Sequence, residues 1–273
     1  MTKPNTFLKK TIVTLWLVVI ALIALLPLLF MIRTSFVPTL FYTSFNQFSG
    51  FTLDHYREVY LNSNFPRYLL NSLYVTFFST FLVILIGSLA GYALARFNFR
   101  GRENFLFFVL STRMGPPVAF AIPLFLLLMR LDLLDKIIGL VLAYLLYNLA
   151  FSVWMMQGFF SEVPVEVEEA GMLDGLSRLG VLFRISYPLA LNGLIATTVF
   201  IFITSWNEFF YAFVLTRTTA KTWPTHMSAY AGVFQINWGE IFAASVIAIL
   251  PALIFGILIR RYFARGMSLG AVR

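Results

Sequence analysis

The sequence predicts an all-α membrane protein with six transmembrane helices and both termini on the cytoplasmic side. Three observations predict it. Of 273 residues, 60% are hydrophobic and only 12% charged, with mean hydropathy +0.84; a globular chain has about 45–50% and about 25%. A chain of this size needs a polar shell in water, so the composition excludes a water-soluble fold. It excludes disorder for the same reason. The apolar residues also fall into six runs near the ~20 residues that span a bilayer core as a helix. Finally, the basic residues divide unevenly between the connecting segments.

The first run is residues 11–32. Its apolar stretch is too long for a cleaved signal peptide, and no small-residue cleavage site follows Pro27 and Arg33. The next segment, residues 33–67, carries Pro38, Asn46, Gly50 and Asn62. It reads as an exposed excursion with a short helix around residues 54–60. Residues 1–67 thus hold a tail, one helix and a loop, and residues 68–273 a five-helix core. The second run, residues 68–95, contains Gly87-x-x-x-Gly91 and then Ala95. Small residues four apart line one helix face and admit a close neighbour.

The third run, residues 104–129, is broken only by Arg113. A straight helix puts that arginine about 12 Å from the inner surface. An intramembrane charge is costly and faces protein or a water-filled cavity. Arg113 therefore either serves a translocation pathway or bonds the backbone carbonyls freed by Pro116 and Pro117. The fourth run is residues 137–161 and the fifth residues 185–207. At the outer end of the fifth, Trp206, Asn207, Glu208, Phe210 and Tyr211 combine polar groups with aromatic faces. They either line the pathway near its mouth or anchor the helix at the interface. Arg113 and Glu208 are expected at different depths and are not paired. The sixth run is residues 241–259. Pro123 and Pro251 are placed to kink the third and sixth helices.

With both termini inside, the inner segments carry Lys3, Lys9, Lys10, Arg96, Arg100, Arg102, Arg178, Arg184, Arg260, Arg261, Arg265 and Arg273. The outer segments carry Arg33, Arg57, Arg67, Arg130, Lys136, Arg217 and Lys221, three of them in the long first loop. The inward excess sets the orientation. It also explains the net charge of +8 by topology, so no nucleic-acid partner is expected. With no cysteine there is no disulfide or thiolate site. His55 and His226 lack metal-ligand spacing, so no metal site is expected.

One connection breaks the pattern. Five of the twelve acidic residues lie between Ser161 and Arg184. Ser161 is a candidate N-cap and Pro164 suits a first turn. Glu166, Glu168 and Glu169 complement the positive end of the helix dipole. Val165, Glu169 and Met172 share a face. Asp174-Gly175 marks a stop, with Gly175 free to turn left-handed. Leu176, Leu179, Leu182 and Phe183 then begin a second helical pattern.

This stretch resembles a known loop. Val163-Pro164-x-Glu166-x-Glu168-Glu169-Ala170-Gly171-x-x-Asp174-Gly175, followed by Ile185-x-Tyr187-Pro188, is similar to the EAA loop of bacterial ABC importer permeases. The spacing matches throughout, with Gly171 in place of the second alanine and Tyr187 in place of a leucine. Further resemblances run along the chain: Asn71-Ser72, Ala93-x-Ala95-Arg96-Phe97-x-Phe99-Arg100-Gly101, Met114-x-Pro116-Pro117, Ile122-Pro123-Leu124, Trp206-Asn207-Glu208-Phe209, Pro251, and Arg261-Tyr262-Phe263-x-x-Gly266-x-x-x-Gly270-Ala271-Val272. Together they resemble the MalG-type subunit of carbohydrate ABC importers.

The resemblance implies the ABC type I importer (MetI-like) fold in the bacterial cytoplasmic (inner) membrane. It implies a permease subunit that is not itself an enzyme and carries no cofactor. Its partners would be a second, MalF-like permease, two copies of an ABC ATPase that bind ATP and Mg²⁺, and an extracytoplasmic solute-binding protein. The chain contains no Gly-x-x-x-x-Gly-Lys-[Ser/Thr] to cradle a nucleotide. Glu168, Glu169, Ala170, Gly171, Asp174 and Gly175 would couple the chain to the ATPase, with Glu169 and Asp174 accepting charge-assisted hydrogen bonds. An alternative is an ion-coupled secondary transporter. It calls for internal repeats and intramembrane carboxylates, of which Glu208 is one candidate and no repeat is evident. A membrane enzyme calls for converging catalytic groups, and the spans contain none.

Overall fold

The structure, a computed structural model, describes residues 6–38, 50–230 and 236–269. The features expected at Lys3, Asn46, Gly270, Ala271, Val272 and Arg273 lie outside the described residues, as do the side chains of Lys9, Arg260, Arg261 and Arg265. The regular elements among the described residues are helical. Among the described residues, four helices are each long and apolar enough to cross a membrane, and up to six spans result if each of two bent helix pairs counts as one.

The first helix, α1 (Thr6–Ser35), keeps its apolar side chains from Ile12 to Phe30 exposed on every side, as a lipid-facing helix does. Thr34 and Ser35 close it by donating to the carbonyls of Phe30 and Ile32. Next come α2 (Asp54–Arg57) and a π turn (Glu58–Asn62), where the sequence places a short helix. The helix α3 (Phe65–Arg96) is followed by α4 (Arg102–Met114) and α5 (Pro117–Arg130). After α6 (Ile137–Ser161) come α7 (Val165–Leu173), α8 (Arg178–Val181), a π turn (Leu182–Ser186), α9 (Tyr187–Leu189) and α10 (Leu191–Trp206). The chain ends with α11 (Phe210–Leu215), α12 (Trp223–Met227), a 3-10 turn (Ser228–Tyr230) and α13 (Trp238–Leu269).

The chain divides into two compact units. The first comprises Met1–Pro66 and Met227–Ile249. In it Tyr56 and Ser35 share a hydrogen bond of 2.7 Å, and Phe36 stacks on Phe51 and Tyr56. His55 Nε2 lies 2.9 Å from the Val37 carbonyl, and the Phe30 ring meets Phe242 edge-on.

The second unit comprises Arg67–His226 and Leu250–Arg273. One core cluster joins Val75, Leu128, Leu140, Tyr144, Tyr211 and Leu215. Another joins Tyr92, Met156, Phe160, Val163, Leu182 and Ala190 beside the acidic loop. The Gly87-x-x-x-Gly91 face packs on α6. A Cβ at Gly91 would lie 2.7 Å from Met156 Cβ and 2.8 Å from the Gln157 backbone nitrogen. Ser152 Oγ donates to the Val83 carbonyl across the same contact.

Two predicted spans are not straight. The third, expected as one helix over residues 104–129, is α4 and α5 meeting at 93°. Gly115 and Pro116 are both extended, at ψ 144° and 134°. Pro117 forces its predecessor out of the helical region, and neither proline offers an N–H to continue the ladder. The break falls there and not at Pro123, which sits inside α5. A depth for Arg113 read along a straight helix does not apply.

The fifth span, expected over residues 185–207, bends by 81° between the segment ending at Leu189 and α10. Pro188 leaves the Arg184 carbonyl without its usual donor. The chain accommodates this with the π turn before the proline and closes it with the Ala190 N–H on the Ser186 carbonyl.

Candidate functional site

The acidic loop is a nine-residue helix with a sharply closed end. Ser161 does not cap it: that residue ends α6, its Oγ donating to the Gln157 carbonyl at 2.9 Å. Pro164 takes the N-cap position, so the first helical residue is Val165. At the other end the Gly175 N–H bonds the Met172 carbonyl and the Leu176 N–H bonds the Gly171 carbonyl, both at 3.1 Å. This double closure needs a left-handed residue, supplied by Gly175 at φ +90°. Ser177 then caps α8 by accepting from the Gly180 N–H.

The shared face of Val165, Glu169 and Met172 is not the buried one. The residues of α7 that turn inward are Glu168 and Gly171. A Cβ at Gly171 would meet the far end of the Ile185 side chain, so an alanine here requires that side chain to shift. Glu169, Ala170, Asp174 and Gly175 are exposed, and Leu173 between them is 90% exposed.

Glu168 is 3% exposed and reaches into the chain's own core. Its Oε2 accepts from Arg96 Nε at 2.7 Å and from Tyr92 OH at 3.2 Å. Its Oε1 accepts from Arg96 Nη2 at 2.9 Å and from Ser186 Oγ at 2.7 Å. Arg96 Nη2 also donates to the Val163 carbonyl at 2.8 Å. Burial favours the neutral carboxyl, but the hydrogen bonds from Arg96 and Ser186, with the charge of Arg96, outweigh it. The carboxyl is therefore held below its ordinary value. Arg178 adds a second tie, its guanidinium 5.1 Å from the Phe97 ring. Sequence reasoning missed the Arg96–Glu168 pair. The available signal was an arginine placed directly after the uncharged run of residues 68–95.

Arg113 occupies a cavity of about 690 Å³ lined by α3, α4, α5 and α6 together with Tyr211. Its Nη1 donates to the Tyr147 carbonyl at 2.9 Å, and its guanidinium lies 4.5 Å from the Tyr147 ring centre and 5.4 Å from that of Phe151. The bonded carbonyl thus belongs to α6, not to the residues preceding Pro116 and Pro117. Nη1 also reaches Asn148 Oδ1 at 3.4 Å. Fully buried Asn148 accepts from Thr204 Oγ1 and donates to Ser205 Oγ, both at 3.1 Å. This network ties α4, α6 and α10 together.

Of the other residues assigned to a pathway, only Tyr211 joins Arg113 at the cavity wall. Trp206 is buried and its carbonyl accepts from Trp223 Nε1. Asn207 is exposed and donates to the Ile203 carbonyl. Glu208 caps α11, accepting from the N–H groups of Tyr211 at 2.9 Å and Ala212 at 3.1 Å. Phe210 packs partly against the core cluster around Tyr144. Among the described residues no ion pair joins Glu208 to Arg113.

One carboxylate escaped the sequence reading. Asp135 accepts from the backbone N–H groups of Arg217, Thr218, Thr219 and Ala220 at 2.9–3.2 Å. Thr218 Oγ1 adds a bond of 3.0 Å. Partial burial works against ionisation, but the four amides prevail and hold this carboxyl far below the usual range.

Comparison with known proteins identifies the family. Residues 83–269 match the model of the family described as binding-protein-dependent transport system inner membrane component. A probable ABC transporter permease protein of Sinorhizobium fredii is 34% identical over 97% of this chain and 96% of its own length. The trehalose/maltose transport system permease protein MalG of Thermococcus litoralis is 33% identical over 97% of this chain and 98% of its own. A chain in the crystal structure of a bacterial ABC transporter for the acidic polysaccharide alginate superposes with TM-score 0.80 at 24% identity, covering 96% of this chain and 99% of that one. The extent of the match places the chain in the family of inner-membrane components of binding-protein-dependent transport systems.

Proposed function

We propose that the chain is one permease half of an ATP-driven importer for a sugar, polyol or sugar derivative. It receives the solute from an extracytoplasmic binding protein and passes it through the cytoplasmic membrane by alternating access. A MalF-like permease completes the pore, two copies of an ABC ATPase bind ATP and Mg²⁺, and both termini of this chain are cytoplasmic. The carbohydrate class rests on the trehalose/maltose permease among its relatives.

The observation that carries the reading is the tip of α7. Leu173 stands out beside Glu169 and Asp174, on a helix whose opposite side is fixed inside the chain. An exposed leucine beside carboxylates at a tight turn suits an apolar cleft with basic or backbone donors. The ATPase supplies that cleft, and its closure moves the loop and the spans attached to it. Arg113, Tyr147 and Tyr211 offer a cation and two aromatic hydroxyl side chains to a solute in the cavity.

Family membership speaks against an ion-coupled secondary transporter. Reconstituting the chain with its partners in vesicles tests this directly. Uptake is expected to require ATP, and uptake driven by an ion gradient without ATP overturns the proposal.

A further inference from the structure

We infer that Arg96 and Glu168 are a positioning pair that keeps the coupling helix, the inner end of α3 and the turn leading into α10 one mechanical body through the transport cycle. The inference rests on the coupling reading above and says how motion at the loop reaches the pore. A force applied at residues 173–175 is useful only if α7 cannot slide or rotate against the rest of the chain. Its apolar grip is small. It has nine residues, and its inward face offers Glu168 and a glycine. The holding falls to the carboxylate.

That carboxylate is bound on both oxygens from two separate elements. Tyr92 and Arg96 come from α3, and Ser186 comes from the π turn that leads to α10. Arg96 also holds the Val163 carbonyl, between α6 and α7. A two-pronged guanidinium–carboxylate contact fixes orientation as well as distance. Opening it would strand two buried charges, so it stays shut while weaker contacts elsewhere give way. A displacement of the loop is then delivered to α3 as well as to α10.

The experiment uses the whole complex in vesicles, with partner subunits made cysteine-free. This chain has no native cysteine, so spin labels can be placed at Phe99→Cys and Glu166→Cys, two exposed positions on either side of the pair. The distance between the labels is expected to stay the same in the nucleotide-free, ATP-bound and ADP-bound complexes. A shift between these states larger than the width of its own distribution overturns the inference.

The second arm is Arg96→Lys, which keeps the charge but loses the fork. It is expected to assemble and hydrolyse ATP while transport per ATP falls about tenfold, because lysine cannot hold both oxygens in one orientation. A merely structural charge would be rescued by lysine, so unchanged transport per ATP in an assembled Arg96→Lys complex also overturns the inference. Glu169→Lys separates the two levels. If it blocks uptake while Arg96→Lys does not, only the positioning role falls; if it leaves uptake intact, the coupling reading itself falls.

Discussion

Gly87 of α3 lies so close to Ser152 of α6 that a Cβ at position 87 would fall 2.2 Å from the serine Oγ. The two helices therefore meet backbone to side chain with no room for a methyl group. Gly87→Ala is expected to lower stability by about 1–3 kcal/mol through overpacking. The double variant Gly87→Ala/Ser152→Gly should recover most of that loss. Thermal unfolding of the detergent-solubilised chain measures both, and a Gly87→Ala variant as stable as the parent contradicts the contact.

Removing one partner of the buried Arg96–Glu168 pair should cost far more than removing both. Glu168→Leu leaves the arginine charge stranded and is expected to destabilise by about 3–5 kcal/mol. Arg96→Met/Glu168→Leu replaces both with apolar groups and should sit well above Glu168→Leu in stability. A double-mutant cycle gives the coupling between them, and additive losses would show that the two do not interact.

Asp135 makes a pH prediction. Its folded carboxyl titrates below the unfolded value, so its contribution is present above the unfolded pKa of about 3.9 and is lost as pH falls through the lower folded value. The stability gap between the parent and Asp135→Asn should therefore be constant from neutral pH to about pH 4 and close below it. A gap that closes near neutral pH would contradict the four-amide arrangement.

Gly175 is constrained by its backbone alone, since a Cβ there would meet nothing within 4 Å. At φ +90° a β-branched residue is strained by about 1–2 kcal/mol. Gly175→Val should abolish uptake and ATPase stimulation while membrane insertion stays intact. Gly175→Asn, which tolerates positive φ better, should retain more uptake than Gly175→Val. Equal uptake in the two variants would remove backbone shape from the explanation.

Local signals carried much of the fold. The fourth run predicts residues 137–161, and α6 is Ile137–Ser161. Glycine spacing marked the face of α3 that packs closely on a neighbour, which is α6, and Asp174-Gly175 found the left-handed turn. What the sequence hid depends on partners far along the chain. Three glutamates on one short helix look alike until Arg96, 72 positions away, selects Glu168. Asp135 meets amides 82 to 85 positions on, and backbone donors leave no residue signature. The bends at Gly115–Pro116 and Ala190 were hidden differently: hydropathy counts apolar residues and does not register direction.

The elbow between Met114 and Pro117 carries one more consequence. A helix end leaves carbonyls without intrahelical donors, and the two prolines bring no N–H to answer them. In hydrocarbon each unanswered group costs several kcal/mol, so a turn of this kind at membrane depth is incompatible with acyl chains as neighbours. It requires water or protein against it. The elbow therefore marks a face of the chain that is turned away from lipid.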